Sequence, residues 1–404
     1  MSQAAIAAVD RISIVTRLFD DDQLGCVHGL PCEPFGAKIT IDRIATADRH
    51  YLEKEGLAAD LPAFIDAFCK HLETLPKQAD IIHAHFSDAA AVALIARRRF
   101  GIPVIYTPHA LGIDKRAHRP GSDALDGRIA AEHQAIAMAD AIVVSTRDEA
   151  DRQLRAYGVA DATTRTHCVA PGVPHRVRSG PSPSRLDGWD AQLLDPHKPI
   201  VLAIARPVRK KNLAALVRAY AGHPALVERA NLVILAGQHG SPHASAEERE
   251  VIAELERLRT DHGLHGQMAL PPRHGPDDVD ALYRQAARGG VFVNPALHEP
   301  FGLTLIEAAA AGVPVVATCN GGPAEIVGRI GHGILVDPSD DVAIGAACFK
   351  IVSDTVRHRA LSNAALDNAG FYNWPDYAGK TVALYASLHR SRARSIPADQ
   401  PAAA

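Results

Sequence analysis

Two glutamates on either side of a glycine mark the stretch of this sequence best suited to chemistry. Glu299 lies in the run HEPFG at 298–302, and Glu307 follows in the alanine-rich segment 303–311. A short run of β-branched and aromatic residues at 291–293 precedes them, so we predict a loop that leads from a buried strand into a helix. Carboxylates in such a loop and in the helix beyond it suit the hydroxyl groups of one polyhydroxyl ligand.

The turn around Phe301, Gly302 and Leu303 has the chemistry of an anion site. The first amides of a helix lack partners within it, the helix dipole favours negative charge there, and glycine lets a phosphate approach the backbone. A second such unit follows, because the strand at 315–317 runs into NGGP at 320–323. This pattern predicts a doubly wound α/β fold that binds its ligand at the carboxyl ends of the strands.

A basic loop follows the apolar run at 200–204, which is typical of a strand buried on both faces. The loop, ARPVRKKN at 205–212, contains Arg206, Lys210 and Lys211. Two or more cations at this position can offset the charge that builds up on a departing diphosphate. A nucleic-acid patch is the competing interpretation, and it lacks the neighbouring aromatic residues and the excess of positive charge that such patches show.

His109 and Lys115 follow another buried strand, at 104–107, in the sequence PHALGIDK. Their place beyond a strand's carboxyl end is where a ligand-facing loop belongs. The alternative is that His109, one of 21 histidines, is structural or on the surface. Lys54 and Arg128 are two further candidate site residues. For each of them the alternative is an ordinary solvated charge.

Alternating strand and helix patterns extend over most of the chain and predict two parallel sheets. A stretch rich in proline and without apolar periodicity separates them, which is typical of a linker. The predicted segments are a first Rossmann-like domain at 1–175, a linker at 176–198, a second Rossmann-like domain at 199–374, a C-terminal helix at 375–390 and a disordered tail at 391–404.

Composition limits the classes of function. The net charge of −3 provides no field for holding a nucleic-acid backbone, so we expect no nucleic-acid partner. The six cysteines form no C-x-x-C pair, which argues against a disulfide framework or a zinc site and fits a reducing compartment. We find neither a signal-peptide pattern nor an apolar run long enough to span a bilayer. The sequence therefore predicts a cytoplasmic protein without a transmembrane segment.

Taken together, the motifs resemble those of retaining glycosyltransferases of family 4 type, which have the two-domain GT-B fold. EPFGLTLIE at 299–307 and NGGPAEI at 320–326 are similar to the donor site of the group containing sucrose-phosphate synthase, sucrose synthase and mannosylfructose-phosphate synthase. The resemblance implies two Rossmann-like domains facing a central cleft, with the last helix crossing back onto the first. It also implies transfer of a hexose from a nucleoside diphosphate sugar, such as a UDP sugar, to a sugar or sugar phosphate, with no metal or other cofactor.

For the donor, the resemblance places Arg206 and Lys211 on the diphosphate, aided by the amides of Gly302 and Leu303. The neighbouring loop residues Pro300 and Phe301 belong to the same donor site. Glu307 would hold the ribose hydroxyls and Glu299 the hexose hydroxyls. The leaving phosphate would take the acceptor's proton, so that no enzyme carboxylate attacks the sugar.

For the acceptor, the resemblance implies that His109 backs the transferred sugar. Lys54, Lys115 and Arg128 would bind the acceptor, with Lys54 and Arg128 holding its phosphate.

The sequence departs from the family at its start, because the first strand candidate is not followed by the Gly-Gly-Gln loop and long helix of these enzymes. We therefore expect a first domain truncated at its N-terminus. We expect the whole chain to bind nucleotide but to transfer slowly or not at all to fructose 6-phosphate. One alternative is a catalytically impaired GT-B protein that binds nucleotide sugar as a regulatory or partner subunit, with oligomer formation possible. The other is a different transferase of the same fold, for mannosyl, polysaccharide or lipid-linked products.

Overall fold

The computed structural model of the protein divides into two compact units. The first comprises the chain up to Pro171 together with the C-terminal segment from Trp374, and the second comprises Gly172 to Asn373. The structure describes residues 2–20, 26–52, 54–116, 123–173, 189–240 and 244–395.

The described part of the first unit contains two sheets. One is three-stranded and mixed, in the order β1-β3-β2, with β1 parallel and β2 antiparallel to β3. The other is four-stranded and parallel, in the order β4-β5-β6-β7. The strands are β1 Ile12–Arg17, β2 Cys32–Pro34, β3 Ile39–Ile44, β4 Ile82–His85, β5 Val104–Thr107, β6 Ala141–Val144 and β7 Thr166–Cys168.

The helices of the first unit cover these strands because each has an apolar stripe. Ala90, Ala93 and Leu94 of one helix are buried in a cluster with Tyr106 of β5. The last helix packs Tyr377, Leu384, Tyr385 and Leu388 against Ile105 and Ala141, which lie on the neighbouring strands β5 and β6. The helices are α1 Lys54–Thr74, α2 Phe86–Phe100, α3 Ile113–Arg116, α4 Asp123–Met138 and α13 Trp374–Ser395.

The second unit is built on one six-stranded sheet in which every pair of neighbours is parallel, in the order β10-β9-β8-β11-β12-β13. Its central strands are buried, as expected for a sheet with helices on both faces. The strands are β8 Ile200–Ile204, β9 Asn231–Leu235, β10 Met268–Ala269, β11 Val291–Asn294, β12 Val315–Thr318 and β13 Gly333–Val336.

Helices connect these strands. Several start at a recognisable cap, such as the capping box formed by Ser245 and Glu248. The helices are α5 Leu213–Ala221, α6 Pro224–Arg229, α7 Ala246–Asp261, α8 Pro276–Ala286, α9 Leu303–Ala310, α10 Gly322–Ile330, α11 Asp341–Val352 and α12 Thr355–Asn368.

The α/β class and the parallel sheets confirm the sequence prediction. The antiparallel strand β2 was not predicted, because its three residues are held by the ladder to β3 and by an ion pair between Glu33 and Arg43 at 2.6 Å. The last helix reaches Ser395, beyond the predicted start of the tail, and Arg392 near its end approaches the carbonyl of Phe100 at 3.4 Å.

Most of the predicted linker and of the predicted tail, at 176–188 and 396–404, lies outside the described residues. At the end of the linker, residues 190–198 lead directly into β8, and Leu193 forms a bridge with Gly266 of the second unit. Among the described helices, none is long and apolar enough to cross a bilayer.

Asn212 ties together three loops at the carboxyl edge of the second sheet. Its side-chain amide donates to the carbonyls of Pro295 at 3.0 Å and Pro338 at 2.8 Å, and its backbone is left-handed, with φ +55°. Because asparagine tolerates this conformation better than most residues, it suits the junction between the basic loop and α5.

We expect Asn212→Gly to destabilise the second unit by about 2 kcal/mol through the loss of two hydrogen bonds. Asn212→Ala should cost about 1 kcal/mol more, because alanine is strained at positive φ. The chain has two tryptophans, so a Trp374→Phe background leaves Trp189 as a fluorescence probe of the second unit in urea unfolding. Equal stability of wild type and both variants would show that the three loops do not depend on Asn212.

Candidate functional site

The glycine loop of the second unit leads from β11 into α9 as the sequence predicts. Gly302 precedes the helix with φ +108°, a conformation that strongly favours glycine. Phe301 is buried with its ring edge-on to Tyr372 at 5.9 Å, whereas Leu303 is 44% exposed and Pro300 half-buried. The loop is thus anchored by Phe301, and at the open first turn of α9 the exposed residue is Leu303, while Leu305 and Ile306 are buried.

A second glycine loop holds the first in place. The Glu299 amide donates to the carbonyl of Asn320 at 3.2 Å, and the Gly322 amide donates to the carbonyl of Glu299 at 2.9 Å. A Cβ on Gly321 would lie 2.3 Å from the Glu299 carbonyl oxygen, so the backbones approach too closely for any side chain there. The NGG run therefore fixes the backbone at Glu299.

Lys211 and Glu299 form an ion pair at the centre of the sheet edge. The Lys211 Nζ donates to Glu299 Oε2, and the two side chains are 21% and 12% exposed. Lys211 follows β8 and Glu299 follows β11, and these strands are hydrogen-bonded neighbours. From β8 the chain adds β9 and β10 on one side, and from β11 it adds β12 and β13 on the other. The pair thus lies at the topological switch point, where doubly wound sheets bind ligands.

The other cations of the basic loop differ in their surroundings. Arg209 is committed to Glu250 by an ion pair of 2.7 Å. The Arg206 side chain is exposed and forms no hydrogen bond or ion pair with the residues that the structure describes. Arg206 can therefore bind an anion without first breaking a contact with another described residue.

Glu307 lies on α9, past the open first turn, and is half-buried. The Tyr283 hydroxyl lies 3.3 Å from Glu307 Oε2 and 3.2 Å from the Thr304 carbonyl oxygen. The sequence does not single out Tyr283, Asn212 or Asn294, because amide and phenol groups in a single sequence carry no signal of their partners.

His109 belongs to a stack of three imidazoles at the carboxyl ends of β4 and β5. His85 Nδ1 and His109 Nε2 share a hydrogen bond of 2.7 Å, and the rings of His83 and His85 lie 4.5 Å apart. Both ring nitrogens of His83 form hydrogen bonds, Nδ1 with the Tyr385 hydroxyl and Nε2 with the Thr107 hydroxyl, each at 2.7 Å. The sequence predicts His109 from this group as a site residue but does not single out His83 or His85.

These imidazoles are held neutral. Desolvation lowers the pKa of His83 to about 3, with smaller contributions from the charges of His85 and His109. Desolvation, and then the charge of His109, lowers the pKa of His85 to about 4, and desolvation lowers the pKa of His109. A neutral imidazole offers one donor and one acceptor, which suits hydroxyl groups better than phosphates.

Arg128, a predicted acceptor residue, is already paired. Its Nε donates to the buried Glu132 at 2.7 Å and its Nη2 to the Ala110 carbonyl. Glu132 also accepts from the Tyr157 hydroxyl and, at 2.9 Å, from the Gly112 amide. Arg128 thus braces the loop that carries His109. Lys54 begins α1 and Lys115 lies in α3, and the side chains of both are outside the described part of the chain.

Comparisons with known proteins agree with this architecture. Residues 189–367 match the family model "Glycosyl transferases group 1", and residues 22–172 match "Glycosyl transferase 4-like domain". The structure is similar to that of sucrose-phosphate synthase from Thermosynechococcus elongatus, with a TM-score of 0.77, 26% identity, and coverage of 94% of this chain and 89% of that one. The chain belongs to the GT-B glycosyltransferases.

Within this family, maize sucrose-phosphate synthase is 31% identical over 457 residues, which cover 93% of this chain and 43% of the maize protein. The chain thus spans about two fifths of the length of such curated relatives. Anabaena HepE, solved in complex with UDP-glucose, has the same fold, with a TM-score of 0.71, 17% identity, and coverage of 96% of this chain and 94% of that one.

We expect the first unit to lose stability as the pH falls from about 6.5 toward the pKa of His83. The unfolded histidine titrates near 6.5, so the unfolded state binds the extra proton first and stability rises with pH across this window. His83→Gln should flatten this dependence by up to about 1.4 kcal/mol per pH unit. Urea unfolding in a Trp189→Phe background, where Trp374 reports on the first unit, provides the measurement. Equal slopes in wild type and variant would contradict the assignment.

Proposed function

We propose that the chain is a retaining hexosyltransferase that uses a nucleoside diphosphate sugar as donor and a sugar or sugar phosphate as acceptor. The observation that carries the proposal is the Lys211–Glu299 pair at the switch point, beside the open first turn of α9. One site then offers a cation for a diphosphate and a carboxylate for sugar hydroxyls. The family membership and a solved relative that holds UDP-glucose support the same donor class.

On donor binding, Lys211 and the exposed Arg206 bind the diphosphate, and the amides of Gly302 and Leu303 bind its oxygens at the start of α9. Glu307 then holds the ribose hydroxyls, with Tyr283 beside its carboxylate at 3.3 Å. Glu299, released from Lys211, accepts from the hexose hydroxyls.

In the proposed reaction the bond between the hexose anomeric carbon and the diphosphate oxygen breaks. An acceptor hydroxyl forms the new bond on the same face of the sugar, and its proton passes to the departing phosphate. The protein contributes positioning and charge stabilisation. Because Arg206 and Lys211 supply the positive charge, we propose that no metal is required, and we expect excess EDTA to leave the rate of transfer unchanged.

For the acceptor, the proposal assigns the neutral His109 to the transferred sugar and Arg128, Lys54 and Lys115 to an acceptor anion. Arg128 would have to keep or exchange its contact with Glu132 to do so. Incubation with UDP-, ADP- and GDP-hexoses and fructose 6-phosphate, followed by NMR of the product's anomeric proton, tests donor, acceptor and stereochemistry together. Nucleotide binding without transfer or donor hydrolysis would instead support a binding subunit.

The double variant Arg206→Ala/Lys211→Ala should bind nucleoside diphosphates more weakly by about 3 kcal/mol or more, because two charge-assisted contacts are lost. Isothermal calorimetry with UDP, ADP and GDP measures the effect. Arg209→Ala is the matched control, since it removes a cation from the same loop that is already committed to Glu250. Unchanged affinity in the double variant would refute the diphosphate assignment.

Glu307→Gln and Glu299→Gln should weaken the binding of different ligands. If Glu307 holds the ribose, its change weakens binding of UDP itself. If Glu299 reads the hexose, its change spares UDP and weakens UDP-hexose by about tenfold, the cost of one hydrogen bond to a charged group. Equal effects of the two changes on UDP would overturn this division of roles.

A further inference from the structure

Asn294, the last residue of β11, is buried beneath the Lys211–Glu299 pair and has no role in the site described so far. Its side-chain oxygen accepts from the Ala296 amide at 3.2 Å. A backbone amide can only donate, so this contact fixes which end of the Asn294 side chain is the oxygen. The side-chain nitrogen must then point toward Glu299, and it lies 3.2 Å from Glu299 Oε2.

The contacts that the structure gives to the Glu299 carboxylate converge on one oxygen. Both Lys211 Nζ and Asn294 Nδ2 donate to Oε2. Within the described residues, Oε1 has no hydrogen-bond partner. The carboxylate is therefore held by one oxygen while the other remains available.

We propose that Asn294 is a positioning residue that holds Glu299 by Oε2 and leaves Oε1 to accept from a sugar hydroxyl of the donor. The inference rests on the proposed role of Glu299. It adds a residue that no ligand atom touches.

The need for Asn294 is greatest when the site is occupied. In the free protein Lys211 also restrains Glu299, but a diphosphate competes for that ammonium. Once Lys211 binds the diphosphate, Asn294 is the remaining side chain among the described residues that donates to Glu299 Oε2. A positioning defect should therefore appear in binding of the sugar nucleotide and not in binding of the diphosphate alone.

Calorimetry of Asn294→Ala with UDP and with UDP-hexose tests this. We expect UDP-hexose affinity to fall about tenfold and UDP affinity to change less than about twofold, because one hydrogen bond that orients the carboxylate is lost. In a Glu299→Gln background, Asn294→Ala should have little further effect on the ratio of UDP-hexose affinity to UDP affinity. Additive effects of the two changes would overturn the inference, since independent residues add.

Asn294→Asp gives a second readout that a merely structural role would not produce. The aspartate keeps an acceptor for the Ala296 amide but faces Glu299 Oε2 with a second carboxylate. Two neighbouring carboxylates raise the pKa of one of them. Relative to wild type at each pH, UDP-hexose binding by this variant should recover as the pH falls from 8 to 5, whereas Asn294→Ala should show no such recovery. Parallel pH profiles of the two variants would contradict the proposal.

These outcomes separate the inference from the proposed function. If Glu299→Gln leaves the ratio of UDP-hexose to UDP affinity unchanged, the role of Glu299 is wrong. If Glu299→Gln changes that ratio and Asn294→Ala does not, the role of Glu299 stands and the inference fails. Trp189 fluorescence in a Trp374→Phe background checks that each variant retains a folded second unit.

Discussion

The contact between Lys211 and Glu299 depends on two parallel strands that lie side by side although their residues are far apart in the chain. β8 and β11 pair at the centre of the sheet, and the connections leave them in opposite directions. The loops that follow these strands therefore meet in one place. Moving a charged side chain from water into the protein is costly unless a partner of opposite charge is present. In the proposed function, the cation and the carboxylate of this pair bind different parts of one ligand.

Hydrogen bonds to backbone groups hold the loops around this pair. Gly321 and Gly322 allow the neighbouring loop to bond directly to the backbone of Glu299, and Asn212 links the basic loop to two others. Such contacts reduce the number of conformations available to the loops before a ligand arrives. Binding then needs less ordering, and the reacting groups start close to a productive geometry.

The two units treat charge in opposite ways. The second unit concentrates cations in one loop, whereas the first stacks His83, His85 and His109 with their pKa values lowered, so that they are neutral at pH 7. Cations can bind a diphosphate, and neutral imidazoles can exchange donors and acceptors with sugar hydroxyls. In the proposed function, separate groups of residues bind the anionic diphosphate and the uncharged sugar.

The sequence by itself determined the α/β class and the main strands and helices, and it predicts Arg206, Lys211, Glu299 and Glu307 as candidate site residues. It could do so because apolar periodicity, glycine turns and charged side chains are local signals. Only the tertiary structure decided that Lys211 contacts Glu299, that Arg128 is committed to Glu132, and that Asn294 lies under the carboxylate. These facts depend on which strands become neighbours and on the direction of each side chain. Strand pairing is set by the burial of the whole sheet, so no short stretch of sequence contains it.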